Sequence, residues 1–209
     1  MNTHNIFEHK QGAEHIATPV SIYMVKRLSR KCKHILEIGG GIGTLTYSIL
    51  SESESQVDVY EDNDFCINEL KKNLAELSER YTLLDDCTQS PPRIDYDLVI
   101  IDGGQGGYDC GYPGMTENIF TFVKPTFVYF EGVRRKQRRT TLRVLRNRYT
   151  IKIYRIPFYF YQDRLYKGGT LMRCYVCNSF VKRWVNYILN TIYESQYTEK
   201  FFGRIKPPV

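Results

Sequence analysis

Two hydrophobic periodicities alternate along the chain from residue 34 to about residue 150. Short apolar runs, HILEI (34–38), VDVY (57–60), YTLL (81–84), DLVII (97–101) and TFVYF (126–130), read as strands. Between them apolar positions recur at helical spacing near 43–51, 64–78, 115–123 and 133–147. Five such β/α steps predict a parallel sheet wrapped by helices. Ahead of the first strand, Thr18-Pro19 forms an N-cap and first-turn pair, and Ile22, Val25 and Leu28 follow on one helical face. After Arg148 the pattern changes. YTIKIYRIPFYFY and GGTLMRCYVC are β-prone runs separated by the turn-forming QDRLYKGG, and they predict an antiparallel pair closing the sheet. A final helix begins after Asn178, with Val181, Val185, Ile188 and Ile192 on one stripe and Phe180 and Trp184 beside it. Its polar side offers only Lys182 and Arg183 near its start, so the stripe is expected to pack into the core and not onto a membrane.

Composition narrows the class. With 209 residues and 42% apolar content the chain can bury one sizeable core. No run of about 18 apolar residues occurs. The opening MNTHNIFEHKQG lacks the basic-then-apolar pattern of a secretory signal, so a cytoplasmic location is expected. Six scattered cysteines suit reduced thiols; Cys174 and Cys177, three apart in a strand, point to opposite faces and should share neither a disulfide nor a metal. The net charge of +6 hides a polarity: residues 1–120 hold 10 Lys+Arg against 19 Asp+Glu, and residues 121–209 hold 19 against 4. A second half this basic points to an anionic partner or to a solvated basic face.

The candidate chemistry lies in HILEIGGGIGTLT, residues 34–46, where a strand runs through Gly39, Gly40, Gly41 and Gly43 into a helix. Glycines there allow a tight turn and close approach of a ligand to the backbone. Dinucleotides use the same turn, with pyrophosphate at the helix start. Glu37 at its mouth would repel a pyrophosphate and suits a ligand carrying an ammonium and a sulfonium, as S-adenosyl-L-methionine does. Glu61 follows the second strand, where an acidic side chain takes ribose hydroxyls, and Asp62 is the reserve for that role. Asp86 and Cys87 follow the third strand, where a carboxylate and a backbone N–H can meet an adenine, and Asp102 ends the fourth. Ligands of open α/β sheets sit outside the carboxyl ends of strands, which is where all these acids fall.

In order, EIGGGIGTLT, VYED, LLDDC and DLVIIDGG resemble the successive cofactor motifs of class I S-adenosylmethionine-dependent methyltransferases, over residues 34 to about 131. The resemblance implies a Rossmann-like, doubly wound, mostly parallel seven-stranded α/β sheet with an antiparallel last strand. As one domain, the chain then divides into an N-terminal helical extension (1–33), the core (34–177) and a C-terminal helix and tail (178–209). The first motif is most similar to rRNA adenine dimethyltransferases, whose fourth motif, Asn-Leu-Pro-Tyr, is replaced here by Asp102-Gly103-Gly104-Gln105. That fourth motif is more like O-methyltransferases. Some of those bind Mg²⁺ at the ends of the fourth and fifth strands, where Asp102 and Glu131 stand; two carboxylates make a thin octahedral site, and no metal is assigned. Spermidine-synthase-like aminopropyltransferases share the triple glycine but carry a second Asp where Gln105 stands.

Methyl transfer needs a positioned acceptor and, for some acceptors, a base. Asp102 is the candidate for orienting the acceptor or the cofactor's amino end, and Glu131 for the base or an orienting group. Tyr108 and Tyr112, in GGQGGYDCGYPG, are candidates to cover the substrate. Arg134, Arg135, Arg138 and Arg139 begin a basic helix beside the expected site, where cations oppose the helix dipole unless an anion compensates. An anionic acceptor, nucleic acid or a small molecule or glycan, is the expected partner. An aminopropyltransferase and an inactive cofactor-binding partner are the alternatives from other classes.

Overall fold

The computed structural model describes residues 3–84, 92–103, 113–132, 134–156, 159–161, 164–166 and 168–202. Helix α1 (Thr3–Phe7) and a 3-10 turn (Ala13–His15), neither foreseen from the sequence, precede α2 (Pro19–Ser29). Thr18 caps α2 as expected, its hydroxyl accepting from Ser21 N–H at 3.3 Å. The alternating core follows as β1 (His34–Ile38), α3 (Thr44–Leu50), β2 (Gln56–Tyr60), α4 (Asp64–Asn73), β3 (Tyr81–Leu84), β4 (Asp95–Ile101), α5 (Pro113–Phe122), β5 (Lys124–Phe130) and α6 (Arg135–Leu145). Then come β6 (Tyr149–Arg155), a small hairpin of β7 (Tyr159–Tyr161) and β8 (Arg164–Tyr166), β9 (Thr170–Val176) and α7 (Phe180–Phe202).

The sheet has the order β3-β2-β1-β4-β5-β9-β6. β1 to β5 are parallel, and β9 runs antiparallel to both β5 and β6. The central strands are apolar on both faces because helices cover both. Ile35, Val57, Leu98 and Ile100 pack with Ile22, Val25, Leu45 and Leu70 on one side; Leu36, Val99, Val128 and Phe130 pack with Phe120, Leu142 and Leu145 on the other. Strand order reverses between β1 and β4, and sheets of this kind bind ligands at such a point, outside the carboxyl ends of the strands.

α7 departs from expectation. Its apolar stripe faces solvent: Val181, Val185, Ile188 and Ile192 are exposed, with Phe180 and Trp184. The polar side faces inward instead, because β6 is the last strand of the sheet and its outward backbone groups need partners. Asn186 accepts from Ile151 N–H at 2.6 Å, and the Asn186 and Asn190 amides donate to the Ile151 carbonyl at 3.1 and 2.9 Å. Arg146 lies over the rings of Trp184 and Tyr187, 4.6 Å from each centroid. Among the described residues no helix is long and apolar enough to cross a membrane.

Candidate cofactor and acceptor site

The backbone ladder between strands continues past their ends and fixes where each loop begins. Gly39 N–H donates to the Tyr60 carbonyl (2.8 Å), Asp102 and Gly103 N–H donate to Ile38 (2.9 and 2.6 Å), and Glu131 N–H donates to Ile101 (3.1 Å). Four acidic residues are thereby gathered at one edge: Glu37 inside the end of β1, Glu61 after β2, Asp102 after β4 and Glu131 after β5.

The glycine turn is shaped by contact. Gly39 has φ 89°, in the left-handed region, and a Cβ there would sit 2.2 Å from Gly103. A Cβ on Gly41 (φ 52°) would sit 2.5 Å from the His15 carbonyl oxygen, so the N-terminal segment lies directly on the turn. Gly43, at φ 95°, opens α3 without a side-chain cap. Glu61 braces the same turn: one oxygen accepts Gly41 N–H at 2.6 Å, and the other accepts from Asp62 and Asn63 N–H at 3.1 and 3.0 Å. Asp62 itself is exposed.

Glu37 is fully buried. One of its oxygens accepts from the Thr46 hydroxyl at 2.7 Å; the other is buried without a hydrogen-bond partner. Burial, offset in part by Thr46 and reinforced by the charges of Glu61 and Glu131, pushes its carboxyl up to about 8. An orphaned acidic oxygen at the foot of the glycine turn fits the cationic amino-acid end of S-adenosylmethionine. It fits a phosphate poorly.

Asp102 and Glu131 meet side chain to side chain. Burial and Glu131 raise the Asp102 carboxyl well above its ordinary range, against the pull of Arg134. Burial opposes charge on Glu131 too, but the hydrogen bonds from Asp102 and from Thr18 N–H (2.9 Å), with Arg134, hold it below its ordinary range. Such a pair favours one shared proton, with the negative charge on Glu131. Among the described residues no three His, Cys, Asp or Glu side chains converge as a metal ion would require.

The arginines separate into different environments. Arg134 ion-pairs with Asp102 at 3.1 Å and donates to the Gly103 carbonyl at 2.8 Å, from a left-handed backbone (φ 35°) unusual outside glycine. The anion at the start of α6 is thus supplied in part by the chain itself. Arg138 corrects the sequence reading. It is buried and bound to Glu194 of α7 by two bonds of 3.2 and 2.9 Å, so its guanidinium is turned to α7 and not held out for an acceptor. Arg135 is half-buried and Arg139 exposed. Asp86, Cys87, Tyr108 and Tyr112 lie outside the described residues. Sequence reasoning missed Thr46, Gly103, Thr18 in its second role and His15. The paired glycines after Asp102 were the one available signal.

No protein-family profile matches the sequence, and no curated protein matches it significantly. Solved structures do match. They include the precorrin-6Y C5,15-methyltransferase of Geobacter metallireducens (TM-score 0.60, 13% identity, covering 81% of this chain and 95% of that one). The tRNA (m1A58) methyltransferase TrmI of Aquifex aeolicus matches with TM-score 0.58 and 14% identity over 86% of this chain and 77% of its own. The SAH-bound methyltransferase PaMTH1 of Podospora anserina gives 0.56 and 14% over 83% and 86%. The chain has the Rossmann-like fold of the S-adenosylmethionine-dependent methyltransferases. The acceptors those names state are chemically unrelated, so the fold leaves this chain's acceptor open.

Proposed function

We propose that this protein is an S-adenosylmethionine-dependent methyltransferase acting on an anionic acceptor. The observation that carries the reading is Glu37, a buried carboxylate with one oxygen unpartnered at the mouth of a glycine turn. In this reading Gly39, Gly41 and Gly43 shape the turn that receives the cofactor, Glu37 faces its cationic end, and Glu61 exchanges Gly41 N–H for ribose hydroxyls. Asp86 and Cys87 belong beside the adenine, with Asp62 as the second ribose candidate. The bound cofactor supplies a methyl carbon activated by its sulfonium. The protein's own work is to position the acceptor and take its proton. Glu131, the more acidic of the shared-proton pair, is suited to accept that proton, and Asp102 to orient the acceptor. Arg135 and Arg139 lie in the first turns of α6, beside Arg134, where a phosphate or carboxylate of the acceptor can reach them, and Tyr108 and Tyr112 are the covering candidates.

Calorimetry with S-adenosylmethionine, its demethylated product and NAD tests the cofactor. The first two should bind, and Glu61→Ala should weaken them about tenfold or more through lost charge-assisted bonds. NAD binding in their place would overturn the reading. Tritiated methyl transfer into RNA, DNA and small-molecule fractions identifies the acceptor, and Asp102→Ala should abolish transfer with the circular dichroism spectrum unchanged.

A further inference from the structure

We propose that α7 is a dimerisation element: two copies of this chain pair their α7 helices antiparallel about a two-fold axis level with the Asn186–Tyr187 peptide. The inference does not depend on the methyltransferase reading. Eight large apolar side chains of α7 are exposed, from 37% at Trp184 to 68% at Val181, and they form one continuous stripe. Scaled by these exposures the stripe offers on the order of 700 Å², above the roughly 300–600 Å² of an ordinary monomer's largest apolar patch and near the roughly 800 Å² per partner of a standard interface.

The stripe is complementary to itself. Val181, Val185, Ile188 and Ile192 recur at spacings of four, three and four residues, the pattern by which two helices interlock at a shallow angle. Reversing the helix about the Asn186–Tyr187 bond maps the exposed set onto itself: Phe180 falls opposite Tyr193, Val181 opposite Ile192, Trp184 opposite Leu189, and Val185 opposite Ile188. The pairs are apolar but for the Tyr193 hydroxyl, with Val181–Ile192 and Val185–Ile188 at the centre of the stripe and Phe180–Tyr193 at its margins. A two-fold interface demands this correspondence, in which residue i meets j and j meets i.

Charge favours the same occupant. In a protein of net charge +6, Lys182 is the one exposed Lys, Arg, Asp or Glu of α7 within the span Phe180–Tyr193, since Arg183 is half-buried and donates inward to the Cys177 carbonyl. A second copy is therefore not repelled, and a polynucleotide finds no cationic track. A lipid surface would need the helix's polar side free in water. Here that side is engaged by Ile151 through Asn186 and Asn190, and by Arg138 through Glu194. The same anchoring fixes the direction the stripe faces, so pairing requires little reordering.

Sedimentation and light scattering on the full chain test this directly. At about 100 µM the expected mass is twice 24.6 kDa. Ile188→Glu and Val185→Glu, each placing a charge in the central layer, should shift the dissociation constant by a hundredfold or more, leave circular dichroism unchanged, and remove the dependence of melting on protein concentration. A wild-type monomer at that concentration, alone or bound to phosphatidylcholine vesicles, overturns the proposal, as does a dimer that survives both variants. Cysteine pairs read the direction. Under mild oxidation Val181→Cys should cross-link to Ile192→Cys in a mixture and not to itself; self-linking of Val181→Cys overturns the antiparallel arrangement.

Discussion

A carboxyl group sealed from water beside two other carboxyls resists ionisation, and Glu37 is held in that state by burial, Glu61 and Glu131. In the unfolded chain it ionises near its ordinary 4.5; in the folded chain it does so near about 8. Between those values the folded protein keeps a proton that the unfolded chain has released, so stability falls as pH rises through the window. Asp102 is displaced in the same direction and adds to the fall, whereas Glu131 is displaced the other way and acts below its ordinary range. Melting of the ligand-free protein should therefore drop from pH 5 to pH 8, and Glu37→Gln should flatten the curve. The ligand side reverses the sign. A cation that pairs with the ionised carboxylate should bind more tightly as pH rises over the same interval, and calorimetry on Glu37→Gln should find that dependence gone. An affinity indifferent to pH in the wild type would sink the pairing. Glu37, Glu61, Asp102 and Glu131 could be read from sequence because each sits at a strand end, and strand ends are visible as the close of an apolar run. Thr46 and Gly103 could not, since their roles exist only where two loops touch.

At the scale of elements, α6, β6 and α7 are tied by one buried carboxylate. Glu194 accepts from Arg138 on one oxygen and is paired with Arg155 on the other, at 2.9 and 2.5 Å. Removing the anion leaves two guanidinium groups in a poorly solvated place, a change that costs about 3–5 kcal/mol in comparable buried pairs. Glu194→Ala should lower stability by that order in denaturant titration and leave S-adenosylmethionine affinity nearly unaltered, because the triad does not touch the glycine turn. An unchanged midpoint would show that water reaches the triad. The same trio explains a misreading. Arg138 belongs by sequence to a basic run, and nothing local announces a carboxylate 56 residues further on. β1 and β3 match their sequence boundaries residue for residue and β4 and β5 to within two. Apolar alternation states which residues share a face; for α7 it left open which face turns inward, and the unpaired backbone of β6 decided that.

Over the whole molecule the charges are sorted. The first 120 residues, acidic by nine charges, build the glycine turn and three of the four site acids, and the remainder, basic by fifteen, builds α6 and the closing strands. If the acceptor is a polynucleotide, affinity should fall steeply with salt, since each neutralised phosphate releases condensed counterion. Replacing Arg135 and Arg139 together with alanine should then flatten the log–log salt slope by roughly two and spare cofactor binding. Failure of both RNA and DNA to bind at low salt would assign the acceptor to small molecules instead. The amides of α7 that hold Ile151 of β6 have a consequence at this scale as well. A sheet whose final strand is YTIKIYR would otherwise end in a free row of donors and acceptors, able to recruit a like strand from a neighbouring molecule and grow by addition. α7 occupies the middle of that edge, at Ile151, and is expected to block such addition. A chain shortened at Cys177 is expected to form thioflavin-positive aggregates under conditions in which the full chain stays clear.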